Sequence, residues 1–266
     1  MRAAWALARR EVIRFVRQPS RIVGALLPPL LAWVLIGAGF AGSFRISGAA
    51  PGGSYFTYFF PGTVVLVILF ASIFATISVI EDRREGFLQG VVVSPASPLA
   101  VAAGKVLGGS ILALVQGGAL LLLVPALGLA VRGPELALSI AVLVLLSFAL
   151  TGLGLAIAWS LESTQGFHAI MNLFLFPMWF LSGAFFPASG APAWLRAAMA
   201  VNPLTYGVAA LRNGLSAVTH PELPSLPLSL AVTAAFAVAM VGLSAAVIAR
   251  SPAGPEARAL GRGKAR

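Results

Sequence analysis

The sequence predicts an all-α membrane protein: six transmembrane helices, an N-terminal interfacial helix, and short re-entrant helices on the outer side between spans five and six. Three observations predict it. First, 59% of the 266 residues are hydrophobic and only 10% are charged, whereas a soluble domain carries about 25% charged residues. Lipid, not a water-soluble core, must cover so much apolar surface. Second, the apolar residues run in long charge-free windows. Third, Lys and Arg gather at the ends of those windows.

The first 21 residues come before any span. Trp5, Val12 and Val16 share one helical face, and Arg10, Arg14, Arg17 and Arg21 share another. Such a helix lies flat on an anionic leaflet, with rings among headgroups and guanidinia toward phosphates. Pro19 is expected to end it and turn the chain into the membrane. The following apolar run is too long for a cleaved signal sequence.

The spans are expected at about 22–44, 56–80, 106–131, 136–161, 167–186 and 226–249. Each can cross roughly 30 Å of hydrocarbon at about 1.5 Å per residue. The runs are continuous and do not alternate, so they are helices and not barrel strands. Pro28-Pro29, Pro125 and Pro177 are expected to kink them. Gly104 and Gly108 have the small-xxx-small spacing that lets helices approach closely. Between 187 and 224, two short amphipathic pieces, at about 193–200 and 204–218, flank Asn202-Pro203. Both are too short to cross.

Of the 18 Lys and Arg residues, only Arg45, Arg132, Arg196 and Arg212 fall on the outer side if both termini are cytoplasmic. That bias fixes the expected orientation. Residues 1–250 form the membrane unit, and 251–266 read as a disordered basic tail. The net charge of +10 belongs to topology; no basic-aromatic module for nucleic acid accompanies it.

Several chemistries lack their residues. There is no cysteine, and the only histidines are His168 and His220, so metal catalysis has poor raw material. No phosphate-cradling Gly-x-x-x-x-Gly-Lys-Ser/Thr run occurs. The acids are Glu11, Glu81, Asp82, Glu85, Glu135, Glu162, Glu222 and Glu256. All lie at expected span ends, in loops or in the tail, which argues against an ion-coupled carrier. Energy must then come from another chain. The run Glu81-Asp82-Arg83-Arg84-Glu85-Gly86, followed by the Ser94-Pro95-Ala96-Ser97-Pro98 break, reads as a water-facing surface for a soluble partner to grip. As a surface run it is expected to contribute little to stability.

Four motifs carry a family resemblance: Phe59-Phe60-Pro61-Gly62; the 81–86 cluster with Ser94-Pro95 and Gly104-Lys105; Leu181-Ser182-Gly183-Ala184-Phe185-Phe186-Pro187; and Asn202-Pro203-Leu204-Thr205-Tyr206. Together they resemble the ABC-2 type permeases, the membrane halves of bacterial ATP-binding cassette exporters. The resemblance implies a multi-pass subunit of the bacterial inner membrane. It pairs with a second permease copy, identical or not, and with cytosolic ATPase subunits that hold ATP and Mg; this chain binds no cofactor and has no catalytic residues. It further implies coupling to the ATPase through Glu81, Asp82, Arg83, Arg84, Glu85, Gly86, Phe87 and Leu88, with Glu162 in a second contact. A substrate pathway would include Phe70, Phe74, Phe174, Phe176 and Trp179. The family motif residues are Ser182, Gly183, Pro187, Asn202, Pro203 and Tyr206. The expected cargo is a lipophilic or amphipathic drug-like compound, with a lipid-linked polysaccharide or glycolipid as the alternative. An ATP-independent channel or carrier and a non-transporting assembly factor also stay open.

Overall fold

The computed structural model describes residues 2–40, 54–86, 97–129, 131–215 and 223–250. In chain order the helices are α1 (Arg2–Val16), α2 (Pro19–Phe40), α3 (Tyr55–Arg84), α4 (Pro98–Leu120), α5 (Gly133–Ser160), α6 (Thr164–Trp179), α7 (Ala193–Val201), α8 (Pro203–Leu215) and α9 (Leu226–Arg250). No strand occurs among the described residues. Among the described residues, six helical segments are long and apolar enough to span a bilayer: α2, α3, α4 with the short turn to Leu123, α5, α6 with its extension to Ala184, and α9.

The bundle is built around α3. Of its most apolar stretch 89% is buried, against 17% for α2 and 22% for α9, which lie outside it. Helices α2, α4 and α5 pack on α3, and α9 packs on α5. The close approaches use residues without bulk. A side chain at Gly152 of α5 would meet the backbone of Met240 and Val241 on α9 at 2.9 Å. Gly109 of α4 and Gly154 of α5 admit Thr151 and Thr76 in the same way. Hydroxyl bonds reinforce the packing: Ser72 and Thr151 lie 3.1 Å apart, and Ser110 donates to the Ser147 carbonyl. Small and hydroxyl side chains are what helices need to associate where no hydrophobic force drives them together.

Several boundaries differ from the sequence reading, for electrostatic reasons. The third span begins at Pro98, eight residues before the charge-free window, and takes in Lys105. Ser97 caps it by accepting from the Ala100 amide. Lys105 is tolerated because Glu11 and Asp82 neutralise it. Helix α3 likewise runs on past Ile80 to Arg84. Its 30 residues extend about 45 Å, more than the roughly 30 Å of hydrocarbon, so its last turn reaches headgroup depth. Pro125 opens a short 3₁₀ turn beyond the end of α4 and kinks no span. Pro19 starts α2 after a turn at Arg17 and Gln18, and does not end α1. The two pieces flanking Asn202 are α7 and α8; α8 is largely buried against α5 and α9. Residues 87–96, with Phe87, Leu88 and most of the proline break, and the tail 251–266 lie outside the described residues.

Candidate functional site

The last turn of α3 is a junction where α1, α2 and α4 meet it, and its six-residue run divides by direction. Glu81, Asp82 and Glu85 turn toward α1. Arg10 binds both oxygens of Asp82, at 2.9 and 3.1 Å, a fork-to-fork geometry that suits guanidinium and carboxylate. Arg14 donates to Asp82 at 2.6 Å, to Glu81 at 3.1 Å and to Glu85 at 3.3 Å. Arg21, in the first turns of α2, reaches Glu81 and the Phe74 carbonyl. From α4, Lys105 contacts Asp82 and donates to Glu11 at 2.6 Å. Glu11 also accepts from Ser78 at 2.7 Å. Four acids, Glu11, Glu81, Asp82 and Glu85, thus meet four bases, Arg10, Arg14, Arg21 and Lys105. The bond from Asp82 raises the Arg10 pKa above its ordinary value, so this guanidinium stays charged at any working pH.

Burial corrects the expectation of a wholly water-facing run that adds little to stability. The Asp82 side chain is 0% exposed and Lys105 only 3%. A buried charge needs a partner, so these groups belong to the packing of α1 on the bundle. Glu85, with 61% of its side chain exposed, does face water. The contact between α1 and α4 is tight because Gly104 and Gly108 carry no side chain. A Cβ on either would come within 2.8 Å of Ala4, Leu7 or Glu11.

Arg83 and Arg84 point the opposite way, to the turn between α5 and α6. Arg83 donates to the carbonyls of Trp159 at 2.6 Å and Leu161 at 2.8 Å, with its guanidinium 5.7 Å from the Trp159 ring. Arg84 donates to the Glu162 carbonyl. The last carbonyls of a helix have no partners within it, and they favour a cation. The two segments expected to touch a partner, the end of α3 and the Glu162 turn, are therefore bonded to each other. Gly86, with φ +76°, turns the chain away after α3.

At the other end of α3 a second constellation joins the remaining motifs. After Pro177 the chain of α6 widens into a π-turn over Phe180–Ala184, and Gly183 takes φ +76°. Tyr58 and Arg212 both donate to the Gly183 carbonyl, at 3.0 and 3.1 Å, and the Arg212 guanidinium sits 4.1 Å from the Tyr58 ring. Tyr55 donates to the Phe185 carbonyl. Ser182 donates back to Trp179. Asn202 donates to the Met178 carbonyl and caps α8 by accepting from the Leu204 amide. Pro203 opens α8, Tyr206 donates to the Ala200 carbonyl, and Pro187 precedes a short 3₁₀ turn. These motif residues hold the break in α6 against α3 and α8.

The five aromatic residues expected along a pathway do not share one wall. Phe70 and Phe74 are half-buried. Phe74 packs where α2 approaches at Gly24 and meets the His168 ring edge-on. Trp179 is only 2% exposed and donates to the Gly62 carbonyl at 2.8 Å. Phe174 and Phe176 point out of the bundle.

Sequence reasoning missed Glu11, Tyr55 and the structural part of Arg212, and it named Lys105 only as part of a motif, without its carboxylate partners. One signal was available: Glu11 is the only acid in the first 80 residues, set in a helix otherwise rich in arginine.

A sequence model described as ABC-2 type transporter matches residues 2–215. The chain is 29% identical over 213 residues to ycf38 of Cyanophora paradoxa, which is named a transport permease; the match spans 78% of this chain and 72% of that one. It is 24% identical over 214 residues to the daunorubicin resistance ABC transporter permease protein DrrB1 of Streptomyces coeruleorubidus, spanning 77% and 71%.

Proposed function

The chain belongs to the ABC-2 type transporter family and is a multi-pass transport permease rather than an enzyme; from that premise we propose that it forms the export path of an ATP-driven transporter whose ATPase is a separate chain. The observation that carries this reading is the junction at the end of α3. Arg83 and Arg84 bind the α5–α6 turn while Glu81 and Asp82 bind α1 and α4. A push on any of these segments reaches all of them through charge-assisted bonds, which are the strong ones. ATP-driven closure of the partner would move the segment after Gly86, and with it Phe87 and Leu88, together with Glu162. The junction would carry that motion into α3 at the centre of the bundle. ATP and Mg reside on the partner.

A second permease copy would complete the path. Helix α2 exposes Val23, Leu27, Leu31, Val34 and Leu35, and α6 exposes Leu173, Phe174 and Phe176; lipid or a second copy covers these faces. The expected setting is a bacterial inner membrane with both termini cytoplasmic, since the basic α1 and the end of α3 lie on one side. The cargo is a lipophilic or amphipathic compound. The few charges along the spans support that, and the relative named for daunorubicin resistance agrees with it.

The test is co-purification of the tagged protein in mild detergent, with ATP hydrolysis measured on what accompanies it. A hydrolysing subunit whose activity rises with a lipophilic cation supports drug export. A hydrolysing subunit, unchanged drug retention and missing surface glycan in a deletion strain would move the cargo to a lipid-linked glycan. Solute flux in vesicles from this chain alone, without ATP, would overturn the ATP-driven reading.

A further inference from the structure

A groove of about 650 Å³ runs along α1, lined by Arg9, Arg10, Ile13, Arg14, Arg17 and Gln18. Four guanidinia in one groove are more positive charge than the neighbouring acids consume. Arg10 and Arg14 bind Glu11, Glu81, Asp82 and Glu85. Among the described residues, no carboxylate lies within ion-pair distance of Arg9 or Arg17, and both are exposed.

The groove's depth in the membrane follows from its neighbours. Apolar Trp5 (62% exposed), Ile13 and Val16 project from the same short helix. After two intervening residues, Arg17 and Gln18, Pro19 opens the first span. Cations beside exposed apolar side chains, at the mouth of a span, mark the level where lipid phosphates lie. The sequence alone placed Arg10, Arg14, Arg17 and Arg21 toward phosphates. The structure gives Arg21, and part of Arg10 and Arg14, to the α3 acids and brings Arg9 to the groove instead.

We propose that this groove is a binding site for the phosphate of an anionic lipid headgroup, with Arg9 and Arg17 as its principal ligands and the outer edge of Arg14 completing it. A phosphate diester there accepts from Arg9, Arg17 and the Arg14 guanidinium, whose other donors hold Asp82 and Glu81. Lipid would then brace α1 from one side while α3 braces it from the other. The site goes beyond the transport reading and does not depend on it.

The test is native mass spectrometry of the whole chain released from nanodiscs of phosphatidylcholine doped with phosphatidylglycerol, counting retained anionic lipid. The expected result is one or more phosphatidylglycerol molecules held by the native chain. The double variant Arg9→Gln/Arg17→Gln should weaken retention by roughly tenfold or more, since it removes charge-assisted hydrogen bonds made to the phosphate at this site. Arg2→Gln, on the same helix but outside the groove, should leave it unchanged. Millimolar inorganic phosphate should not displace the lipid. Equal losses in Arg2→Gln would show diffuse attraction and overturn the site. Displacement by inorganic phosphate would assign the groove to a soluble anion and overturn the lipid assignment. Undiminished retention in the double variant would overturn both. The replaced side chains are exposed, so folding is not at issue; matched melting temperatures check this, and the single variants supply a second reading.

Discussion

Lys105 on α4 and Glu11 on α1 form an ion pair 94 positions apart in the chain, Nζ to Oε1 at 2.6 Å, with 3% and 6% of their side chains exposed. The pair fastens a helix outside the membrane bundle to one inside it. Removing Lys105 leaves the buried Glu11 with only a 3.3 Å ion pair to Arg10 and takes one of three cations from Asp82, a loss of up to about 3–5 kcal/mol. Lys105→Met should therefore lower the melting temperature in detergent and the yield of monodisperse protein. The double variant Glu11→Gln/Lys105→Met removes both charges, and the new side-chain amide oxygen can still accept from Ser78; Asp82 keeps Arg10 and Arg14 but not Lys105, so it should recover part of the loss. A single variant as stable as the native chain would refute the pairing.

Asp82 and Glu85 are three positions apart and should respond in opposite ways to alanine. Asp82 is fully buried against Arg10, Arg14 and Lys105; its removal brings three cations together with less to balance them. Glu85 is 61% exposed and makes one 3.3 Å contact with Arg14. Asp82→Ala should cost about 3–5 kcal/mol and suppress accumulation. Glu85→Ala should stay within about 0.5 kcal/mol of the native chain. Fluorescence-detected size exclusion separates the two. Only Glu85→Ala can then report on partner docking, through the ATPase activity that co-purifies; an unfolded Glu85→Ala chain would remove that use.

Gly108 allows α1 to lie against α4. A Cβ there would fall 2.8 Å from the Glu11 Cβ and 3.1 Å from the Ala8 carbonyl oxygen, and backbone does not give way as a flexible side chain does. Gly108→Val should lift α1 off the bundle and uncover Ser78, which Glu11 covers. The chain has no cysteine, so Ser78→Cys is a single-site reporter. It should resist maleimide in the native background and label readily with Gly108→Val. Equal labelling in both backgrounds would mean that α1 does not depend on this contact.

The fold was legible because a membrane span is the strongest pattern a sequence can carry; six windows free of charge gave six helices. The junction was less legible, because charge reads as a boundary in one dimension and as a partner in three. Lys105 ended a window on paper, yet it lies inside α4 because Glu11 and Asp82 meet it there. The arginine face of α1 was legible, but its division between carboxylates and open groove depends on where the end of α3 comes to rest. The small-xxx-small spacing at Gly104 and Gly108, weak in a chain with 28 glycines, gained its meaning from α1. Arg212 counted only as an outer-side charge, since no local signal says that it caps the Gly183 carbonyl.

Gly62 tests whether the break in α6 is held by close packing against α3. A Cβ on Gly62 would lie 2.5 Å from the Ala184 Cβ and 2.9 Å from its Cα, while the Gly62 carbonyl accepts from Trp179. In a free helix, alanine is favoured over glycine by about 1 kcal/mol. Overpacking costs about 1–3 kcal/mol, and the high end applies where backbone blocks the way. Gly62→Ala should therefore lose about 1–2 kcal/mol net, against its helix propensity. Ala184→Gly in the same chain removes the 2.5 Å clash but not the 2.9 Å one, so it should restore only part of the loss. Gly118→Ala, where a Cβ meets nothing within 4 Å, is the control and should be neutral or stabilising. Melting temperatures in one detergent rank the three. If Gly62→Ala rises with Gly118→Ala, propensity outweighs packing, and the contact between α3 and the π-turn is looser than its geometry implies.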